Sequence, residues 1–242
     1  MSPDKHLAKF VADLRWHDVP VDVAEKVICH VLDALGVMYA GLSDPSSAAV
    51  RSLVGKGGDS PEASIVGRAS MAPASLAAFV NAFHGRIHTF DDTYEAGPVH
   101  AGAVVFSAAL AAGQHSHASG IDVLAAVLAG HEVAVRVASA LGPGHYASGF
   151  HCTGTCNAIG AAAAAARVMG LNCDGVVGAL GHAGGAAAGL RQYQETGSMT
   201  DSALNGGRAA QTGVTSALLS KHGLSGPSEI LGGRWGVCRM FS

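Results

Sequence analysis

"IGAAAAAARVMG", residues 159–170, offers few large side chains from which to build an ordinary apolar helix face. Alanine is the best helix former, but it buries little area, so such a run is stabilised mainly where a neighbouring backbone comes close. "GHAGGAAAG" (181–189) repeats the pattern, and the chain holds 33 glycines in all. An interior glycine costs a helix roughly 1 kcal/mol relative to alanine, a loss that tight packing between helices offsets. The two runs therefore predict helices that meet backbone to backbone. Their uncharged faces also suggest a surface for self-association into a homodimer.

Outward from these runs, apolar residues recur at spacings of three and four far more often than two, which is the helical period. Pro20 precedes a stripe of Val23, Val27, Val31, Leu35 and Met38, and Gly41 lies near its stop, so a helix is expected over 21–42. Further helices are expected at 5–14, 46–55, 73–90, 103–116, 121–141, 154–169, 174–189 and 206–222. Turn signals at Ser119-Gly120, Gly142-Pro143-Gly144 and Gly223 separate several of them. The expected fold class is all-α, a multi-helix bundle forming a single domain over 1–242, with no linker and no internal repeat.

Composition narrows the setting. The 242 residues are 49% hydrophobic and 14% charged, enough apolar content for a sizeable core. A net charge of -3 gives no electrostatic case for nucleic acid or for an anionic membrane surface. The five cysteines are scattered and odd in number, which favours reduced thiols. The first twenty residues lack the long apolar core of a signal peptide. A soluble, cytoplasmic protein is expected.

Against this apolar background one stretch stands out: "HGRIHTFDDTYEAGPVHAG", residues 84–102, which gathers His84, His88, Asp91, Asp92, Glu95 and His100. On a helix, His84 and His88 would share a face, and Asp92 would extend that row to a third metal ligand if the helix continued. The same residues equally suit a hydrogen-bonded polar helix end or an acid–base site. A second polar island, "GHYASGFHCTGTCNAIG" (144–160), places His145 and His151 just before the alanine-rich helix. The N-terminus of that helix, near Thr153 and Thr155, would offer free N–H groups and a positive dipole end to an anion. A histidine beside such a hole is a plausible proton-transfer group.

Several segments, in order, resemble the MmgE/PrpD family. They are "LDALGVMYAG" (32–41), "NAFHGRIHTFDDT" (81–93), "HAGAVVFSAALAAG" (100–113), "GHEVAVRV" (130–137), "GFHCTGTCNAIGAAAAAARVMGL" (149–171), "ALGHAGGAAAGL" (179–190) and "GRAAQTGVTSALLSKHGLSGPSEILGG" (207–233). That family includes 2-methylcitrate dehydratase, cis-aconitate decarboxylase and iminodisuccinate epimerase. The resemblance implies a large all-helical domain, usually a homodimer, that acts on small polycarboxylates without a metal or an organic cofactor. Its aspartate pair and following histidine match Asp91, Asp92 and His100-Ala101-Gly102. Its Gly-Phe-His matches Gly149-Phe150-His151, and its threonine matches Thr93. His100, His151, Asp91 and Asp92 are thus the expected catalytic residues.

Three departures accompany the match. Thr89 stands where the family commonly has a carboxylate, two positions before Asp91. The run Thr200 to Ala210 lacks the family's lysine; Arg191 and Arg208 are the nearest basic residues. Arg208 is assigned, with Thr93 and Thr153, to substrate binding. The sequence given stops at "GGRWGVCRMFS", just where the family's smaller α/β lid would begin, so the expectation is either a fragment or a short form that works with an open site, a partner subunit in place of the lid, or a different ligand.

Three functions remain open on the sequence. One is a cofactor-independent acid–base enzyme, a lyase or isomerase acting by dehydration, decarboxylation or epimerisation on a small carboxylate, with two histidines moving protons. The second is a degenerate relative that binds a ligand or partner. The third is a metal-dependent activity through His84, His88 and Asp92.

Overall fold

The computed structural model describes residues 1–54 and 61–242. The end of the helix expected at 46–55 lies outside the described residues. The elements are α1 (Pro3–Asp13), α2 (Val21–Gly41), α3 (Pro45–Arg51), a small antiparallel hairpin of β1 (Ala63–Ser64) and β2 (Met71–Ala72), α4 (Ala74–Arg86) and α5 (Gly102–His115). They continue with α6 (Gly120–Ala147), α7 (Cys152–Val168), α8 (Cys173–Gly185), α9 (Gln192–Thr196), α10 (Met199–Lys221) and α11 (Val237–Met240). The chain is all-α, as its periodicity predicts.

Local chemistry starts these helices where short polar side chains can accept a free backbone N–H. Asp44 accepts from Ser46 N at 2.8 Å, Asn172 from Gly175 N at 2.9 Å and Ser119 from Asp122 N at 3.2 Å. Asp4 does a different job. Buried in the first turn of α1, it accepts from the backbone of Leu231 at 2.8 Å and Gly232 at 3.3 Å, fastening the C-terminal segment to α1.

The centre of the molecule is α7. Every residue from Cys152 to Ala166 is buried, and α5, α6, α8 and α10 all pack around it. The approach is close because the facing residues are small. A Cβ on Gly160 would lie 2.7 Å from Ala134 Cβ and 2.8 Å from the Gly130 carbonyl oxygen of α6. On the other side, a Cβ on Gly213 of α10 would lie 2.4 Å from Ala161 Cβ. The first alanine run therefore packs within the chain, alanines 161 to 166 having no exposed surface, whereas Gly185, Ala186 and Ala188 of the second run lie exposed at and beyond the end of α8.

Several boundaries differ from expectation, two of them for a clear local reason. The helix expected over 73–90 stops at Arg86, and Thr89 then takes a φ of 55°, which a β-branched residue rarely adopts. That turn leaves Phe90 74% exposed while Asp91 goes inside. At Gly142, φ 65° and ψ -171° break the helical path, and Pro143 opens a further helical turn that runs to Ala147. The last long helix begins at Met199 instead of 206. Among the described residues no single helix is long and apolar enough to cross a membrane.

Gly213 and Gly36 give opposite expectations for the same substitution. Gly213→Ala forces α10 off α7, and overpacking of this kind typically costs about 1–3 kcal/mol. Gly36 of α2 has open space where a Cβ would go, so Gly36→Ala raises stability by up to about 1 kcal/mol through helix propensity. Urea unfolding of both variants checks the pair; a neutral Gly213→Ala would contradict the close contact.

Candidate active site

The helix break at Thr89 makes the site. Beyond it, the segment from Phe90 to Ala101 links α4 to α5, and isolated bridging between Tyr94 and Val99 closes it into a loop. Asp91 points from this segment into the core and is paired there with Arg86 Nη1, both side chains being almost wholly buried. Arg86 also donates to Ser202 Oγ of α10 at 3.3 Å. A Cβ on Gly206 would lie 2.8 Å from Arg86 Cγ, so the guanidinium stem runs across α10 at a point where only glycine fits. Burial pushes the Asp91 carboxyl upward, and Arg86 and His100 oppose that shift. Its Oδ2 has no hydrogen-bond partner among the described residues.

His100 sits at the end of the same segment. Its Nδ1 is 3.0 Å from the Asp92 carbonyl oxygen, 3.0 Å from Thr93 Oγ1 and 4.0 Å from Asp91 Oδ1. A carbonyl only accepts, so Nδ1 carries the proton and donates. The lone pair of the neutral ring then lies on Nε2, which makes no hydrogen bond among the described residues. Asn157 of α7 donates to the His100 carbonyl oxygen at 2.6 Å and ties this histidine to the central helix.

His151 is the N-cap residue of α7 and is 4% exposed. Asn205 of α10 donates Nδ2–H to its Nδ1 at 3.1 Å, which leaves the neutral ring's proton on Nε2. Tyr193 packs edge-on against the ring. Burial, followed by the positive charge of Arg86, by His100 when protonated, and by Arg191, pushes His151 down to about 3. It is therefore a neutral imidazole at physiological pH. The two histidines present opposite faces of the same chemistry, an acceptor nitrogen on His100 and an N–H donor on His151.

The remaining expected residues fall into place unevenly. Thr153 lies in the first turn of α7 with a buried hydroxyl that has no partner among the described residues. Arg208 is exposed on the rim of a 460 Å³ cavity whose lining includes Gly154, Tyr193, Asp201 and Asn205. Arg191 is engaged elsewhere, stacked 3.4 Å over the Tyr146 ring and donating to the Tyr146 carbonyl oxygen at 2.6 Å. Asp92 does not join the group by its carboxylate. Only its backbone reaches His100, while its side chain faces α2 and α6.

The metal-ligand row considered for His84, His88 and Asp92 does not form. With α4 ending at Arg86, His88 is off the helix and lies 3.3 Å from the Ala40 carbonyl oxygen. His84 is fully buried with neither ring nitrogen hydrogen-bonded among the described residues, and burial pushes it down to about 4. His145 is structural, bonded to the Phe241 carbonyl and Thr155 Oγ1 and clustered with the rings of Phe150 and Phe241, which also touch each other.

Arg86 is the residue that sequence reasoning missed. It lies inside the quoted polar stretch, and the signal was available: a single arginine on a helix, "ASLAAFVNAFHGR", with no solvated face. Asn157, Ser202 and Asn205 gave no such signal.

The model of the MmgE/PrpD N-terminal domain matches residues 5–242. The chain belongs to the MmgE/PrpD family. It is 27% identical over 238 residues to the cis-aconitate decarboxylase-like protein oryM of Aspergillus oryzae, covering 95% of this chain and 49% of that protein. It is 26% identical over 243 residues to the cis-aconitate decarboxylase of Aspergillus terreus, covering 98% of this chain and 49% of the relative. The chain thus spans about half the length of the curated relatives it matches. Within this MmgE/PrpD domain Asp91 and His100 meet on the α4–α5 segment at 4.0 Å, and the Gly-Phe-His histidine caps α7, to which Asn157 also ties the His100 backbone.

The buried ion pair sets a measurable expectation. Arg86→Met strands the Asp91 carboxylate and Asp91→Leu strands the guanidinium, so each alone destabilises by about 3–5 kcal/mol. The double variant destabilises by less than the sum, because it removes both charges. Urea unfolding of the four proteins reads the coupling, and strict additivity would show that the pair is not a unit.

Proposed function

We propose that this MmgE/PrpD domain carries the acid–base centre of a lyase or isomerase acting on a small di- or tricarboxylate, with His100 and His151 in distinct roles. The observation that carries the reading is the opposite protonation imposed on the two rings by fixed partners: Asp92 carbonyl on His100, Asn205 amide on His151. His100 Nε2 takes a proton from the carbon next to a substrate carboxylate. The resulting imidazolium keeps its Nδ1–H on the Asp92 carbonyl, with Asp91 at 4.0 Å as opposite charge. His151, neutral, donates Nε2–H to the oxygen on which negative charge collects, as a preorganised hydrogen-bond donor. Thr153, the α7 N-terminus and Arg208 hold the substrate carboxylates, and Thr93 steadies His100. One named relative is a cis-aconitate decarboxylase and the other a cis-aconitate decarboxylase-like protein. In that variant of the chemistry the C–C bond to a carboxylate breaks, CO₂ leaves with no electrons of the bond, and the carbanion is protonated from His100 in its imidazolium form.

The degenerate-relative reading has one observation in its favour: Thr89 and the lysine-free run 200–210 leave fewer charges for a substrate. Proton NMR in deuterated water against a panel of di- and tricarboxylates distinguishes the two. Solvent deuterium at one carbon, or loss of CO₂, supports the enzyme; binding of the panel without exchange or turnover supports the degenerate relative. With an active substrate, His100→Gln lowers turnover by about 10²–10⁴ at unchanged fold. His151→Leu lowers it by about 10²–10³, and His151→Gln, which retains a donor, recovers part of the loss. Full turnover by a folded His100→Gln protein would remove the base.

A homodimer also belongs to this reading, on a different surface from the alanine faces. Val21, Ile28, Leu32 and Tyr39 line one face of α2 and are 75%, 44%, 63% and 59% exposed, an apolar stripe at heptad spacing that suits a second copy. Light scattering at micromolar concentration should give twice the chain mass, and Leu32→Glu should return it to one.

A further inference from the structure

Asp91 and Asp92 are adjacent, and their carboxylates leave the α4–α5 segment on opposite sides. The Asp91 side is the proposed acid–base centre. On the Asp92 side stand His30 of α2 and His131 of α6, and the three ligand atoms all lie within 4.8 Å of one another. His30 Nδ1 is 2.7 Å from Asp92 Oδ2, and His131 Nε2 is 3.4 Å from the same oxygen. The second carboxylate oxygen accepts from Gly102 N at 2.7 Å, which fixes the orientation of the group at the start of α5.

Proton bookkeeping at His131 is informative. Its Nδ1 is 2.9 Å from the Val127 carbonyl oxygen, one helical turn back on α6. A carbonyl only accepts, so Nδ1 bears the proton and the neutral ring turns a lone pair on Nε2 toward Asp92 Oδ2, itself an acceptor. Two acceptors facing one another call for a positive charge between them, which either a proton on Nε2 or a bound metal ion supplies. An imidazole whose Nδ1–H is held by a backbone carbonyl is also the usual arrangement of a metal-binding histidine, because that bond fixes the tautomer and aims the free nitrogen.

We propose that His30 Nδ1, Asp92 Oδ2 and His131 Nε2 bind one divalent transition-metal ion of the zinc class. Two imidazoles select such an ion over magnesium or calcium, which prefer all-oxygen sites. Metal–nitrogen and metal–oxygen distances of about 2.0–2.2 Å require the three atoms to settle about 3.3 Å apart. The neighbouring surface leaves room for that adjustment: the His30 side chain is 32% exposed and His131 15%. A fourth position opens onto a 310 Å³ cavity lined also by Thr93, Tyr94 and Glu132, so water or an anionic ligand completes the set. The ion takes no part in the proton transfer assigned to His100. It joins α2 and α6 to the segment that carries Asp91, Thr93 and His100, and so stabilises that segment's path.

The test uses the whole chain, treated with chelator, dialysed and titrated with Co²⁺ as a spectroscopic probe and then with Zn²⁺. The expected result is one equivalent of Co²⁺ with the visible absorption of a low-coordinate nitrogen/oxygen site, displaced by Zn²⁺, and a raised Tm in the loaded protein. His30→Gln and His131→Gln each weaken binding at least roughly tenfold, whereas His17→Gln, on the exposed turn after α1, leaves it unchanged. Should His131→Gln fail to fold by circular dichroism, His30→Gln decides, since the His30 side chain is part-exposed on α2. Absence of stoichiometric binding in the wild-type chain, or binding that survives both histidine substitutions, overturns the site. Because the readout is metal and not turnover, the outcome is separate from that of the acid–base reading.

Discussion

Contact between α7 and its two flanking helices at the level of glycine and alanine is the constraint on which the rest of this structure depends. Gly130 and Gly160 each sit where a Cβ would strike the other's carbonyl, and Gly213 meets Ala161 more closely still. Helices this close leave no room for large side chains between them, so the core is filled by backbone and methyl groups at native density. The rigidity that results holds His151 and Asn157 of α7 in fixed register with Asn205 and Ser202 of α10. Site geometry in this molecule is a by-product of helix spacing.

Inside that frame the Arg86–Asp91 pair is a second commitment. Taking a guanidinium and a carboxylate out of water is expensive, and their attraction recovers the loss only when both are well placed. Here the pair lies between the α4 terminus, the following segment and α10, so any displacement of one element strands a charge. Its field also acts on His151, which Arg86 helps to keep neutral. A charge pair that contributes little net stability thus specifies a geometry and a protonation state.

Much of this was legible in the sequence. Helical periodicity gave most of the long helices, and the alanine and glycine runs indicate close packing, which for the 159–170 run is internal to the chain. Side-chain identity cannot say which neighbour a small-residue face will meet. The polar stretch 84–102 was readable as a site, but its division was not. Whether Asp91 or Asp92 turns inward depends on the left-handed turn at Thr89, a conformation that threonine's own preferences oppose. His30 and His131 sit in helices as isolated histidines a hundred residues apart in the chain, and only the crossing of α2 and α6 over Asp92 makes them neighbours. Arg86 was visible in the stretch, yet its partner in α10 depends on Gly206, which nothing in local spacing marks.

The fastening of Leu231 and Gly232 to Asp4 has a kinetic side. That contact spans 227 residues of sequence, so α1 cannot reach its final seat until nearly all of the chain has emerged from synthesis. Closing so long a loop carries an entropic penalty, which places the docking of the two terminal segments late in folding and early in unfolding. The α6–α7–α10 centre, whose contacts are nearer in sequence, assembles without waiting for it. The first and last helices then open and close together as one cooperative unit, and amide exchange at the start of α1 would track that at Leu231 and Gly232 instead of that of the helices it packs beside.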